Sequence, residues 1–235
     1  MKFYDLHVYS KNLEKTLEVA QALGYSGLGV VEQHTNFEAF RALRKKLHEE
    51  SRKSGMDLVA CVEIRADSIK TLKKALAKYR EQAEIIIVAG GDYAINRTAA
   101  EDERVDILAH PEFKRMDSGI DHVVAKSAAH NGVAIEINMS GLLSTFKRVR
   151  SHVLNHMDRN VMLAKKFGAP IVMTSGAKDE WGIRDPRELA ALGRMLGLTL
   201  EESVRSVSEA CESRLLTNRK RMGGKILYKG VEVEE

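Results

Sequence analysis

Cysteine is almost absent from this sequence: Cys61 and Cys211 are the only two in 235 residues. Two cysteines cannot build a disulfide framework or a Cys-rich zinc module, and each is expected to be a small buried apolar residue. Proline is scarce too, with three in the chain, and no Pro-, Gly- or Ser-rich linker divides it. Apolar runs are short. Ile85 to Ala89 is typical of the longest, far below the roughly 20 residues a membrane helix needs. The first residues include Lys2, Asp5, His7 and Lys11, so the unbroken apolar core of a secretory signal is missing. A soluble, cytoplasmic protein is expected. Neither sign of charge dominates: 37 Lys and Arg oppose 33 Asp and Glu, a net of +4. An anionic partner must therefore be sought in where the cations sit. Aromatic residues are 6% of the chain, which argues against a platform that stacks single-stranded bases.

What is present is a regular alternation of short apolar runs and longer amphipathic ones. Strands are expected at 3–8, 27–31, 58–64, 84–89, 105–109, 133–137 and 171–174. Helices are expected at 12–23, 38–54, 68–82, 121–131 and 152–167. Asn12 suits a helix cap, and Gly24 and Gly168 suit helix ends. Asp185-Pro186-Arg187-Glu188 and Thr199-Leu200-Glu201-Glu202 read as capping-box starts. Phe40, Leu43 and Leu47 share the buried face of the second helix, and Ile69, Leu72 and Leu76 that of the third. The tail from Ile226 to Val233 is β-like and suits an edge pairing.

About seven strands, each followed by a helix or long loop, imply parallel pairing with right-handed crossovers. The fold class is α/β, and the simplest architecture is a single closed or nearly closed β/α barrel spanning residues 1–235. A basic C-terminal segment, residues 212–235, would pack on the barrel or trail from it. An open doubly wound sheet is the alternative, but Gly24, Gly27 and Gly29 lack the spacing and position of its phosphate loop.

In a parallel barrel, function gathers at the C-terminal ends of the strands. Here those ends carry Asp5-Leu6-His7-Val8-Tyr9-Ser10, Glu32-Gln33-His34 and Val62-Glu63-Ile64-Arg65. They continue with Asp106-Ile107-Leu108-Ala109-His110-Pro111-Glu112, Ile135-Glu136-Ile137-Asn138 and Thr174-Ser175-Gly176-Ala177-Lys178. A single polar residue there can simply close a strand. Three histidines and a glutamate converging on one rim are the donor set of a metal site for phosphate-ester hydrolysis.

These segments resemble the motifs of the polymerase-and-histidinol-phosphatase (PHP) metallohydrolases along nearly the whole chain. The resemblance implies a PHP-like barrel of the TIM type. Metal-binding members have His-x-His on the first strand, where this chain has Tyr9 as the second member. They have Asp-His after the second strand, where Gln33-His34 stands, and Asp-x-His after the seventh, where Gly176-Ala177-Lys178 stands. His7, His34, Glu63 and His110 remain as vestigial metal-site positions. The damaged pattern, with Trp181-Gly182-Ile183-Arg184 before Asp185 and with Ser206-Val207-Ser208 and Asn218-Arg219 later, is similar to the protein component 3 family of archaeal and eukaryotic ribonuclease P.

That likeness implies an accessory subunit of a ribonucleoprotein that removes the 5′ leader of precursor tRNA. The RNA subunit would carry the chemistry, with no catalytic residue and no resident metal in this chain, and magnesium serving the holoenzyme. Implied partners are the ribonuclease P RNA, precursor tRNA, protein component 2 and the other protein components. Lys178 is read as a cation near the lost metal position, since an ammonium cannot ligate a metal. Arg65, Arg97, Lys114, Arg115, Lys147 and Arg148 follow strands, as do Arg150, Lys178 and Arg184, and are expected to grip phosphates on one rim. Arg214, Arg219, Lys220, Arg221, Lys225 and Lys229 form an acid-free stretch and a second RNA-contact candidate, whereas the cations of the helix near Arg41 read as a solvated face. The competing readings are a free-standing metal-dependent phosphoesterase and a protein-only interaction module.

Overall fold

Seven apolar segments become strands because each offers side chains to cover both sides of a sheet. They are β1 (Tyr4–Val8), β2 (Gly27–Gln33), β3 (Asp57–Ile64), β4 (Ile85–Ala89), β5 (Ile107–Ala109), β6 (Ala134–Asn138) and β7 (Ile171–Thr174). They pair in sequence order, every neighbour parallel. The computed structural model describes residues 1–224 and the backbone course of β8 (Ile226–Tyr228) and β9 (Val231–Glu232).

The helices are α1 (Leu13–Ala22), α2 (Phe37–Ser54), α3 (Ile69–Tyr79), α4 (Tyr93–Glu101) and α5 (His122–Asn131). After β6 come α6 (Met139–Leu143) and α7 (Lys147–Phe167), and after β7 come α8 (Pro186–Met195), α9 (Leu200–Arg205) and α10 (Glu209–Met222). Among the described residues no helix is long and apolar enough to cross a membrane. Asn12 and Asn36 cap α1 and α2 through their side chains, and Asp185 and Thr199 form the two expected capping boxes.

Period-two alternation divides the strands between two layers. On β3, Val59 and Cys61 point into the barrel while Leu58, Ala60 and Val62 meet the helices. On β4, Ile85 and Ile87 point inward and Ile86 and Val88 outward. Both cysteines are fully buried, as their apolar reading required.

The barrel closes without an eighth strand. The segment between α9 and α10 lies against both border strands: Met173 donates its N–H to the Ser206 carbonyl (3.1 Å) and Tyr4 donates to that of Val207 (2.9 Å). At the other end Tyr9 donates directly to the Ala177 carbonyl at 2.7 Å. α10 then crosses the N-terminal ends of the strands and drives Cys211 and Leu215 into the interior cluster.

Asp106, just before β5, anchors this plug. Its Oδ1 accepts from Arg214 Nε (2.6 Å) and Asn218 Nδ2 (2.8 Å). Its Oδ2 accepts from Arg80 Nη1 (2.9 Å) and the Ile86 N–H (2.6 Å). Arg219 bridges α10 to Asp57 (2.7 Å) and Glu84 (2.6 Å).

Several boundaries differ from expectation. The stretch 93–101 is helical, begun by the Asp92 cap. α7 starts at Lys147, five residues before the expected 152. Ile69 is 42% exposed; α3 buries Leu72, Ala75, Leu76 and Tyr79 instead. Residues 209–222 are a helix because Cys211, Leu215 and Asn218 recur at helical spacing and are all buried. β8 and β9 pair with each other, antiparallel, in a sheet separate from the barrel. Val233, Lys225 and Lys229 lie outside the described residues.

Burial alone would raise the pKa of Asp106, but the Arg80 and Arg214 charges outweigh it and hold it below the ordinary 3.8. Asp106→Asn should therefore destabilise the protein by about 3–5 kcal/mol at neutral pH, since two guanidinia lose a buried partner. The wild-type advantage is present above pH ~4 and is lost as pH falls through the depressed value of the folded state. Denaturant titrations at pH 7 and pH 3 check this; equal midpoints at pH 7 would reject it.

Candidate functional site

The interior stripe that is apolar through the barrel's middle becomes polar at its C-terminal mouth. Glu63 lies two residues beyond Cys61 on β3, Glu136 two beyond Ala134 on β6, and Thr174 two beyond Val172 on β7. Each therefore points where its apolar predecessor points. On β1 a register shift between Asp5 and Val8 breaks the alternation, and His7 meets the interior carboxylates although Leu6 before it also joins the interior cluster.

His7 is the hub. Its Nδ1 is 2.7 Å from Glu136 Oε1, and its Nε2 is 3.9 Å from Glu63 Oε1 and 3.5 Å from the Tyr9 hydroxyl. Burial would lower the pKa of His7, but the Glu136 and Glu63 charges reverse this and raise it. Glu136 also accepts the Thr174 hydroxyl at 2.6 Å. Against the upward push of burial, His7 holds Glu136 down to about 2. Its second oxygen, Oε2, is buried with no partner.

Glu63 is closed by Arg65, just past the end of its strand, and by Tyr9. Arg65 donates from Nε to Oε2 (2.6 Å) and from Nη2 to Oε1 (3.1 Å), while the Tyr9 hydroxyl donates to Oε2 at 2.5 Å. Burial again pushes upward, but Arg65, His7 and Tyr9 together keep the Glu63 pKa below its usual value. Two further acids complete the floor. Asp5, fully buried, is raised to about 6 by burial despite hydrogen bonds from Ser175 and the His7 N–H. Burial raises Glu112 to about 7, with a contribution from Glu136, and Asn160 Nδ2 is its side-chain neighbour at 3.4 Å.

Of the four positions expected to be vestigial, His7 and His110 meet, with ring centroids 5.9 Å apart. His34 stands aside: its Nδ1 accepts the Arg65 backbone N–H at 3.2 Å. Glu136 takes its place, and donor atoms of His7, His110 and Glu136 lie within 4.8 Å of one another. Glu136 was legible as the acid within Ile135-Glu136-Ile137-Asn138, at an inward position of a strand.

The multi-ion cluster of metal-bearing PHP proteins does not fit these residues. Glu63 has both oxygens engaged by Arg65. Gly176 has φ +62 and a Cβ there would overlap the Asn138 side chain, so no ligand can be restored at that position without displacing Asn138. The donors that remain suit one ion at most. The cation beside Glu63 is Arg65. Lys178 is exposed in the loop after β7.

The other cations divide by location. Lys114, Arg115, Lys147, Arg148, Arg150, Lys178 and Arg184 lie in segments that follow β5, β6 and β7, on the side of the mouth. Arg97 lies on α4, paired with Glu101 at 2.8 Å. α10 carries Arg219, Lys220 and Arg221 near the opposite end, where Arg214 and Arg219 are already bound to barrel carboxylates. The rim cations and those of α10 thus lie at opposite ends of the barrel, as two separate groups. The groups on α10 follow its role as a plug.

Arg65→Ala should leave Glu63 without its countercharge and cost about 1–3 kcal/mol near neutral pH. The loss should shrink as pH falls and the freed carboxyl takes up a proton; thermal midpoints from pH 8 to pH 4 measure it, and a loss independent of pH would contradict the pairing. Glu112→Gln should act oppositely. Because the folded value is raised above the unfolded one, ionisation of Glu112 weakens the fold increasingly from about pH 4.5 and fully above pH ~7. The variant should gain up to roughly 3 kcal/mol at pH 8 and nothing at pH 4; no gain at pH 8 would refute the buried-acid account.

Comparison with known proteins matches this geometry. Residues 2–223 match the family described as RNase P subunit p30. Ribonuclease P protein component 3 of Methanococcoides burtonii is 34% identical over 238 aligned positions, covering 99% of this chain and 94% of that one. The Methanothermobacter thermautotrophicus protein of the same name is 30% identical, covering 92% and 89%. A chain in the cryo-EM structure of archaeal ribonuclease P with mature tRNA aligns over 97% of both chains with TM-score 0.85 and 29% identity. Histidinol phosphate phosphatase from Lactococcus lactis shares the fold alone, at TM-score 0.59 and 13% identity over 86% and 94%. With its barrel, its altered mouth and a match running through nearly every residue, the chain belongs to the RNase P subunit p30 family.

Proposed function

We propose that this chain is a protein subunit of ribonuclease P, which removes the 5′ leader of precursor tRNA, and that it binds and supports the catalytic RNA without breaking bonds itself. The observation that carries the reading is the end-to-end likeness to a chain of archaeal ribonuclease P with mature tRNA. The mouth supports the non-catalytic part. Its central carboxylate is neutralised by Arg65, a fixed cation two residues along the chain. The chain then needs no metal of its own, and magnesium serves the RNA chemistry of the holoenzyme.

RNA is gripped by the cations beside the mouth. Lys114, Lys147, Arg148, Arg150 and Lys178 are exposed. Arg115 is tied to Asp117 at 2.6 Å and Arg184 to the Trp181 carbonyl at 2.9 Å, so they serve less as free grips and more to shape their loops. Phosphate contacts of this kind give affinity and orientation with little sequence information, which suits a subunit reading the shape of a folded RNA. The partners are the ribonuclease P RNA, precursor tRNA in the holoenzyme, protein component 2 and the remaining protein components, in the cytoplasm.

Reconstitution with RNA and the other proteins, with and without this chain, tests the role: cleavage of precursor tRNA should fall on omission. Replacing Lys147, Arg148 and Arg150 together by Ala should flatten the plot of log affinity against log salt by about 1 per lost contact. An unchanged slope would count against the rim. The second reading, a phosphoesterase, draws on His7, His110 and Glu136 converging. Stoichiometric zinc or manganese in purified protein, with hydrolysis of a small phosphomonoester that Glu136→Gln abolishes, would favour it.

A further inference from the structure

The chain has six Phe and one Trp, and the exposed ones are not scattered. Phe113 (53%), Phe146 (71%) and Trp181 (81%) are the exposed members of the set, and Phe40 is fully buried. They sit in the loops that leave three consecutive strands, β5, β6 and β7. Flat apolar rings are costly to leave in water when a core is available to bury them. Two of the rings share a second peculiarity. Lys114 Nζ stands 5.2 Å from the Phe113 ring centroid, and the Arg150 guanidinium 5.4 Å from that of Phe146.

The backbone adds an independent observation. Among the described residues only His110, Lys114 and Lys147 combine a side chain with positive φ, at 48°, 56° and 48°. Lys114 and Lys147 directly follow Phe113 and Phe146. Left-handed backbone at a long side chain persists where the surroundings impose it, and such strain concentrates at binding sites. Here it sits beside two outward rings, each accompanied by a cation.

We propose that Phe113, Phe146 and Trp181 are stacking residues for unpaired RNA bases, placed among the phosphate-gripping cations of the same loops. The inference deepens the rim reading and rests on it. Charge chooses the occupant. The core of a protein-docking patch is depleted of charge, whereas Phe146-Lys147-Arg148-Val149-Arg150 alternates apolar and cationic side chains with no acid. A polyanion with flat faces complements that surface: phosphates take the cations, and bases take the ring faces that the cations leave open. The low aromatic content of the chain does not forbid stacking, because the few rings available are concentrated on one rim.

Trp181 is the only tryptophan, so the full-length chain reports on itself. Its emission should be quenched by an oligoadenylate single strand and not by an RNA duplex of equal phosphate number. Phe113→Leu and Phe146→Leu keep apolar bulk and lose the ring face. Each should weaken oligoadenylate binding on the order of tenfold with the salt slope unchanged, and Phe→Tyr should restore it. Equal quenching by both RNAs, no quenching by either, or wild-type affinity in the double Leu variant would overturn the proposal. So would a double Leu variant that binds RNA normally but fails to assemble with the other protein subunits, since the rings would then face protein. If the Lys147, Arg148 and Arg150 variant keeps its salt slope while the Leu variants lose affinity, the phosphate grip fails and stacking stands.

Discussion

Glu63 is an ionised carboxylate with a fully buried side chain, and a charge there must be answered by another. Arg65 answers it with a two-pronged contact from just beyond the strand's end. The choice of a guanidinium has consequences for the whole mouth. It cannot dissociate as a metal ion can, it stays charged at every relevant pH, and its planar fork matches both oxygens at once. Four acids crowd this small volume, and they sort by access to a cation. Glu136 beside His7 and Glu63 beside Arg65 titrate low, whereas Asp5 and Glu112, further from a positive charge, are driven by burial to about 6 and about 7. The mouth is thus a balanced set of charges rather than an open acidic pocket.

The far end of the barrel obeys the same requirement with different residues. Asp106 accepts four hydrogen bonds, two of them from guanidinia of Arg80 and Arg214. Arg80 belongs to the end of α3 and Arg214 to α10, so one carboxylate fixes an early helix and the C-terminal helix to the same point. The Ser206–Val207 segment meanwhile fills the seam between β7 and β1. α10 is therefore part of barrel closure, and its Arg214 and Arg219 are bound to that task.

The alternation of short apolar runs and amphipathic helices carried the fold, because period two and period 3.6 are properties of local sequence. Strand order followed from it, since parallel neighbours joined by right-handed crossovers leave few arrangements. The site was half legible. His7 and His110 stood out as polar residues closing apolar runs. Glu136 was in a quoted motif, but its partnership with His7 spans 129 positions and no local pattern encodes that. Arg65 looked like one cation among many because it lies just past the end of β3, where period-two alternation no longer says which way a side chain turns. α10 was hidden by its composition: with Arg, Lys, Thr and Asn between Cys211 and Leu215 and beyond, only the three buried positions betray a helix.

Once Arg65 and Tyr9 seal Glu63, the two faces of the barrel differ in what they leave free. At the closed end, carboxylates bind Arg214 and Arg219 of α10. At the mouth, the loops after β5, β6 and β7 keep Lys114, Lys147 and Lys178 exposed, and they hold Phe113, Phe146 and Trp181 outward as well. A rigid parallel barrel can hold such loops in backbone states that an isolated segment would abandon, because the strands on either side fix where each loop begins and ends. The sealed centre and the strained, basic and aromatic rim are then connected by geometry: both lie at the strand ends, and sealing the centre leaves the accessible chemistry on the loops around it.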